Sequence, residues 1–124
     1  MALAPSKEKV KKVYQDNAIE AAVYGASPVG LIVLLYEGAL QAIKQAKLAI
    51  EQRNYSAKSA CISKAVDIIE GLRVTLDPRH EEEMARNLED LYQYAKLRLN
   101  TANLRNDTAL LDEVGQVLST LLSA

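Results

Sequence analysis

Few side chains in this 124-residue chain could carry covalent, acid–base or metal chemistry. There is one histidine, His80, one cysteine, Cys61, and one run of carboxylates, Glu81, Glu82 and Glu83. A metal centre inside a helical bundle draws on Glu-x-x-His pairs from two helices, and a zinc site on clustered Cys and His; a lone His80 beside Pro78 supplies neither. Cys61 falls on the apolar seam of its helix with no histidine nearby in sequence to generate a thiolate, so it reads as a packed thiol. The three glutamates read as the negatively charged opening turn of a helix. The five glycines form no phosphate-cradling loop. These residues point away from an enzyme and from any metal or cofactor, and toward a protein that acts by binding.

Bulk composition narrows the binding classes. Hydrophobic residues make up 49% and charged residues 25%, enough for one domain with a real core. The formal net charge is −1, which gives no general electrostatic grip on nucleic acid or on an anionic membrane. The basic cluster Lys7, Lys9, Lys11 and Lys12 reads as a solvated face in an N-terminal arm. The longest apolar run, Leu31 to Tyr36, falls far short of the ~20 residues of a membrane span. A single cysteine and a polar, charged Ser6 to Tyr14 in place of a secretory signal lead to the expectation of a cytoplasmic protein.

The elements that would position a binding surface are helices. Ser27-Pro28 sets a capping hydroxyl before a proline at the first helical position. From there to about Gln52, Ile32, Tyr36, Ala39, Ile43, Ala46 and Ile50 recur at steps of four and three, the seam of a left-handed bundle. After an Arg53-Asn54 turn, Tyr55 to about Leu76 carries Cys61, Ala65, Ile68 and Leu72, flanked by Ile62, Val66 and Ile69. Asp77-Pro78 repeats the cap-then-proline signal and opens a third helix expected to bury Met84, Leu88, Leu91, Ala95, Leu99 and Ala102. Asn106-Asp107 closes it and caps a last helix with the seam Leu110, Val114, Val117 and Leu121. Connections this short make the helices antiparallel neighbours. The expected architecture is all-α: an antiparallel up-down four-helix bundle over residues 28–124, preceded by an arm at 1–27 that is partly helical between Ser6 and Ala22.

Two features point to a polypeptide partner. Val29, Leu31, Ile32, Val33, Leu34, Leu35 and Tyr36 surround the start of the first helix on every side, which a one-sided surface helix does not do. Either the arm packs on the outer side, or an apolar groove there takes a partner helix; the two are compatible. The only aromatics are six tyrosines, a residue suited to half-wet interfaces. Tyr92 and Tyr94 diverge by about 200° on one helix, so they cannot both be core.

These residues also carry a resemblance. Ala26-Ser27-Pro28, Leu31-Ile32 and Leu35-Tyr36-Glu37-Gly38-Ala39 resemble the opening of the flagellar export chaperone family that binds flagellin. Asn87-Leu88, Leu91-Tyr92-Gln93-Tyr94, Arg98-Leu99, Ala102 to Asp107 and Leu111-Asp112-Glu113-Val114 are similar to its third helix and the turn that follows, and Tyr14-Gln15-Asp16-Asn17 to its N-terminal element. The chain departs from the family pattern in a longer interval between Tyr14 and Ser27, in Asp77 to Glu81 where a glycine pair is usual, and in lacking a Trp near the end.

The resemblance implies a cytoplasmic chaperone, not an enzyme. It would bind the disordered C-terminal segment of flagellin, prevent premature polymerisation and keep it competent for flagellar type III export. Export-gate components are a further candidate partner; nucleic acid and membrane insertion are not expected. The expected contact residues are Leu31, Leu34, Leu35 and Tyr36 on the first helix, Ile62 and Ile69 on the second, and Tyr92 and Leu99 on the third. Tyr14 and Ile19 of the arm would occupy or flank the empty groove. The rival binding reading is a helical adaptor that self-associates through Val29 to Tyr36.

Overall fold

The computed structural model describes residues 27–77, 79 and 81–124, which form four helices. They are α1 (Pro28–Glu51), α2 (Tyr55–Val74), α3 (Glu82–Arg105) and α4 (Thr108–Ser123). The expected arm helix, with Tyr14 and Ile19, lies outside the described residues, as does His80.

Local chemistry starts three of the four helices. Ser27 Oγ accepts the Gly30 N–H at 3.1 Å, with Pro28 in the first helical turn. Asn54 Oδ1 accepts the Ala57 N–H at 3.2 Å, and Asp107 Oδ1 accepts those of Ala109 and Leu110 at 2.9 and 3.4 Å. Helix α3 differs from the expectation that Asp77 caps it. Asp77 Oδ1 instead accepts the Arg79 N–H at 3.0 Å, closing its own turn, and α3 begins only after Glu81, whose side chain makes no cap bond. Glu82 and Glu83 do stand in its first turn, where the helix dipole favours negative charge.

Each helix packs on its sequence neighbour, and α4 returns against α1 to close a four-sided antiparallel bundle. The core takes Tyr36, Ala39, Ile43 and Ala46 from the expected α1 seam, joined by Leu35, Ala42 and Ala49. Helix α2 contributes Ile62, Ala65, Ile68, Ile69 and Leu72, while Cys61 is half-buried rather than sealed in. On α4 the fully covered residues are Leu111, Val114 and Leu118, which rotates the seam slightly from the expected line through Val117 and Leu121. Two residues assigned to seams are exposed: Ile32 at 38% and Met84 at 56%.

Helix lengths account for both exposures. Helices α1 and α3 have 24 residues each and α4 has 16, a difference of eight, or about 12 Å of axis. Asp112 pairs with Lys47 at 3.0 Å, and Gly115 lies opposite Ile43, so α4 reaches the level of Tyr36 by its last turn. The first two turns of α1 and the start of α3 project beyond it.

Candidate partner-binding groove

Where α4 leaves its neighbours uncovered, a groove of about 310 Å³ opens at one end of the bundle. Helix α1 supplies Ile32 and Tyr36, and the end of α2 supplies Thr75, Leu76 and Asp77. The start of α3 supplies Glu81, Met84, Ala85, Leu88 and Tyr92. Val29, 72% exposed, and Val33, 37% exposed, extend the apolar surface along α1. Apolar side chains on a helix starting in solvent gain nothing from exposure, so this set, bordered by Asp77 and Glu81, makes the groove the candidate interaction surface. The chain enters α1 at this same end, at its cap Ser27.

At the base of the groove Tyr36 and Tyr92 meet across the bundle, their hydroxyl oxygens 2.6 Å apart. Burial pushes both phenols above their ordinary range, Tyr92 furthest, so both keep their protons at neutral pH. Tyr94, two residues on, is exposed as the helical spacing requires. Its hydroxyl donates to Glu113 at 2.7 Å, and the Arg98 guanidinium lies 5.7 Å from its ring.

A second cleft, of about 370 Å³, shares Leu76 and Ala85 with the groove but is lined by charge. Its cations are committed: Arg73 pairs with Glu70 at 2.6 Å and Glu89 at 3.1 Å, and Arg86 with Glu82 at 3.0 Å. Lys96 also reaches Glu70, at 2.7 Å. The Arg73 guanidinium, and after it the Lys96 ammonium, hold the Glu70 carboxyl at about 2, against partial burial that acts in the other direction. This network clamps α2 to α3 alongside the groove. Among the described residues, no group of three or more His, Cys, Asp or Glu is placed to hold a metal, and no helix is long and apolar enough to cross a membrane.

The eight bundle residues expected to touch a partner divide in two. Tyr36 and Tyr92 line the groove, and Leu31 and Leu34 are half-buried beside them on α1. Leu35, Ile62, Ile69 and Leu99 are at most 1% exposed inside the four-helix core, so a partner reaches them only if the helices part. Sequence reasoning missed Leu76, Met84 and Leu88 as groove residues. The signal that could have found them was the shortness of the last helix relative to the first and third, which leaves one end of any shared seam uncovered.

The sequence matches the family described as "Flagellar protein FliS" over residues 10–124. It is 46% identical over 110 residues to the flagellar secretion chaperone FliSB of Pseudomonas aeruginosa, covering 89% of this chain and 87% of that one. Over 114 residues it is 43% identical to the flagellar secretion chaperone FliS of Salmonella typhimurium, covering 91% of this chain and 84% of the relative. The corresponding protein of Escherichia coli is 38% identical over 117 residues, 94% of this chain and 86% of its own length. Each alignment takes in far more than any one motif, including the helices that build the groove. With a matching helical bundle beneath them, these likenesses make the chain a member of the FliS family of flagellar proteins.

Proposed function

We propose that this chain is a flagellin export chaperone, and that the groove left open beyond α4 receives an amphipathic helix from the C-terminal segment of flagellin. The observation that carries the reading is the exposed Ile32 and Met84 with the half-buried Leu88 beside a hydrogen-bonding tyrosine pair, on a member of a family whose named relatives are flagellar secretion chaperones. A flagellin tail carries an apolar stripe meant for the filament core, and left free it would self-associate. Laid into the groove, that stripe replaces the two turns of packing that α4 does not provide, and the tail folds as it binds. On this reading Tyr14 and Ile19 of the arm would compete with the client for the same groove. A chaperone that meets its client before export works in the cytoplasm, and a half-buried Cys61 is consistent with a reducing compartment.

The test is calorimetric titration of the full chain with a peptide of about the last 50 residues of the cognate flagellin, long enough to bury on the order of 1,000–3,000 Å². Saturable binding with a large negative heat-capacity change is the expected result, and Tyr14→Ala with Ile19→Ala tightens it by removing the competing arm. Absence of binding by a well-folded protein rejects the chaperone reading. The adaptor that self-associates through Val29 to Tyr36 keeps one observation, the exposure of Val29 at 72% and Val33 at 37% on α1. Sedimentation showing a stable homo-oligomer would favour it.

A further inference from the structure

Donor counting at the base of the groove leads further, and rests on the chaperone reading. Tyr36 and Tyr92 are 6% and 3% exposed, and both line the groove. Each phenol brings one O–H, and each oxygen can also accept. Their mutual contact at 2.6 Å uses one of those two protons, whichever ring donates. The other O–H has no acceptor among the described residues. Both rings line the groove, so an occupant of the groove is the group placed to answer it. A wholly apolar side chain laid over it would exclude solvent and offer nothing in return, which strands a buried donor.

The surroundings restrict what can answer that donor. The backbone carbonyls in the middle of a bound helix already accept from its own ladder and lie behind its side chains, so a side-chain oxygen is the acceptor best placed to reach the donor. A carboxylate is disfavoured, because Asp77 and Glu81 line the groove and, among the described residues, no basic side chain does. What remains is a neutral side-chain oxygen.

We propose that the Tyr36–Tyr92 pair makes the groove selective for partner helices that carry Ser, Thr, Asn or Gln at one position within an otherwise apolar face. The pair acts as a specificity-determining element: apolar walls hold the helix, and the spare hydroxyl reads one polar residue in it. Sites built to hydrogen-bond a substrate discriminate more strongly against the analogue lacking the group than apolar walls discriminate among apolar residues.

The pair makes a distinctive mutational prediction. Removing either hydroxyl alone frees the other, so Tyr36→Phe or Tyr92→Phe leaves one donor still available to the partner. Only the double variant has none. The experiment titrates the full chain, and each variant checked by circular dichroism for native helicity, with the flagellin peptide described above. A second peptide series replaces each Ser, Thr, Asn and Gln on the apolar face singly by Ala. With the unmodified chain and with both single variants, one peptide substitution is expected to weaken binding by about tenfold. In the double Phe variant that loss shrinks to less than about twofold, in line with a removed hydrogen bond. Selectivity is disproved if no polar substitution matters, or if the loss is as large in the double variant. Failure of the unmodified peptide to bind overturns the chaperone reading, and this proposal with it, before any substitution is compared.

Discussion

The two ends of this bundle are built on opposite principles. At the end where α1 turns into α2 and α3 into α4, polar groups close the structure. Arg53 and Asn106 adopt positive φ of 58° and 52°, Asn54 and Asp107 cap the outgoing helices, and Lys58 is buried at 7% exposure. Its ammonium donates to the Asn103 carbonyl at 2.8 Å and to Asn106 Oδ1 at 2.7 Å, while Ser59 Oγ reaches Asn103 Oδ1 at 3.2 Å. Lys58 thus caps the negative end of α3 from a neighbouring helix. At the other end, α3 starts without a side-chain cap, and apolar residues stand in solvent. The closed end has answered its helix-terminal hydrogen bonds internally; the open end instead leaves a groove between its helices lined by apolar side chains.

Breaking the closed end should produce the largest effect. Lys58→Met keeps the stem but strands two oxygens, and is expected to lower unfolding free energy by about 2 kcal/mol in a urea titration, with flagellin-peptide affinity per folded molecule unchanged. An unchanged midpoint would show that this latch does not hold the closed end. Met84→Glu makes the reciprocal test at the open end. Stability should move by no more than about 0.5 kcal/mol, because the side chain is exposed, while peptide affinity falls by at least about tenfold as charge enters an acidic, apolar groove. Loss of both together would mean that Met84 is structural. The smallest effect concerns the clamp beside the groove. The Glu70 carboxyl is held down from 4.5 to about 2, so the stabilisation its pairing supplies is complete above about pH 4.5 and drains away as pH falls toward about 2. Glu70→Gln should flatten that part of the stability–pH curve, measured by thermal melts across the acid range.

What could be read in advance was what local chemistry decides. Ser27-Pro28 and Asp107 mark helix starts because a cap is a contact over three residues, and the divergence of Tyr92 from Tyr94 follows from helical geometry alone. Met84 and Ile32 were misassigned for a different reason. Periodicity identifies an apolar face, but whether that face is covered depends on how far the opposing helix extends. Leu35, Ile62, Ile69 and Leu99 show the converse: near an all-round apolar segment, sequence cannot separate the inner side from the outer. The burial of Lys58 was not legible, since its hydrogen-bond partners lie 45 and 48 residues away.

The order of helix pairings also bears on how fast this chain reaches its native state. Three of the four substantial interfaces join helices adjacent in sequence, and only the α1–α4 contact must close a long loop. Bundles dominated by such near-neighbour contacts have low contact order and fold in roughly microseconds to milliseconds. The entropic cost of the last closure grows only slowly with the length of the loop. Because α4 is the shortest helix and supplies that closure, completing the bundle requires docking only about four turns of helix. A newly made chain of this kind would therefore be ready within a small fraction of the time its ribosome needs to add the next residue to any client.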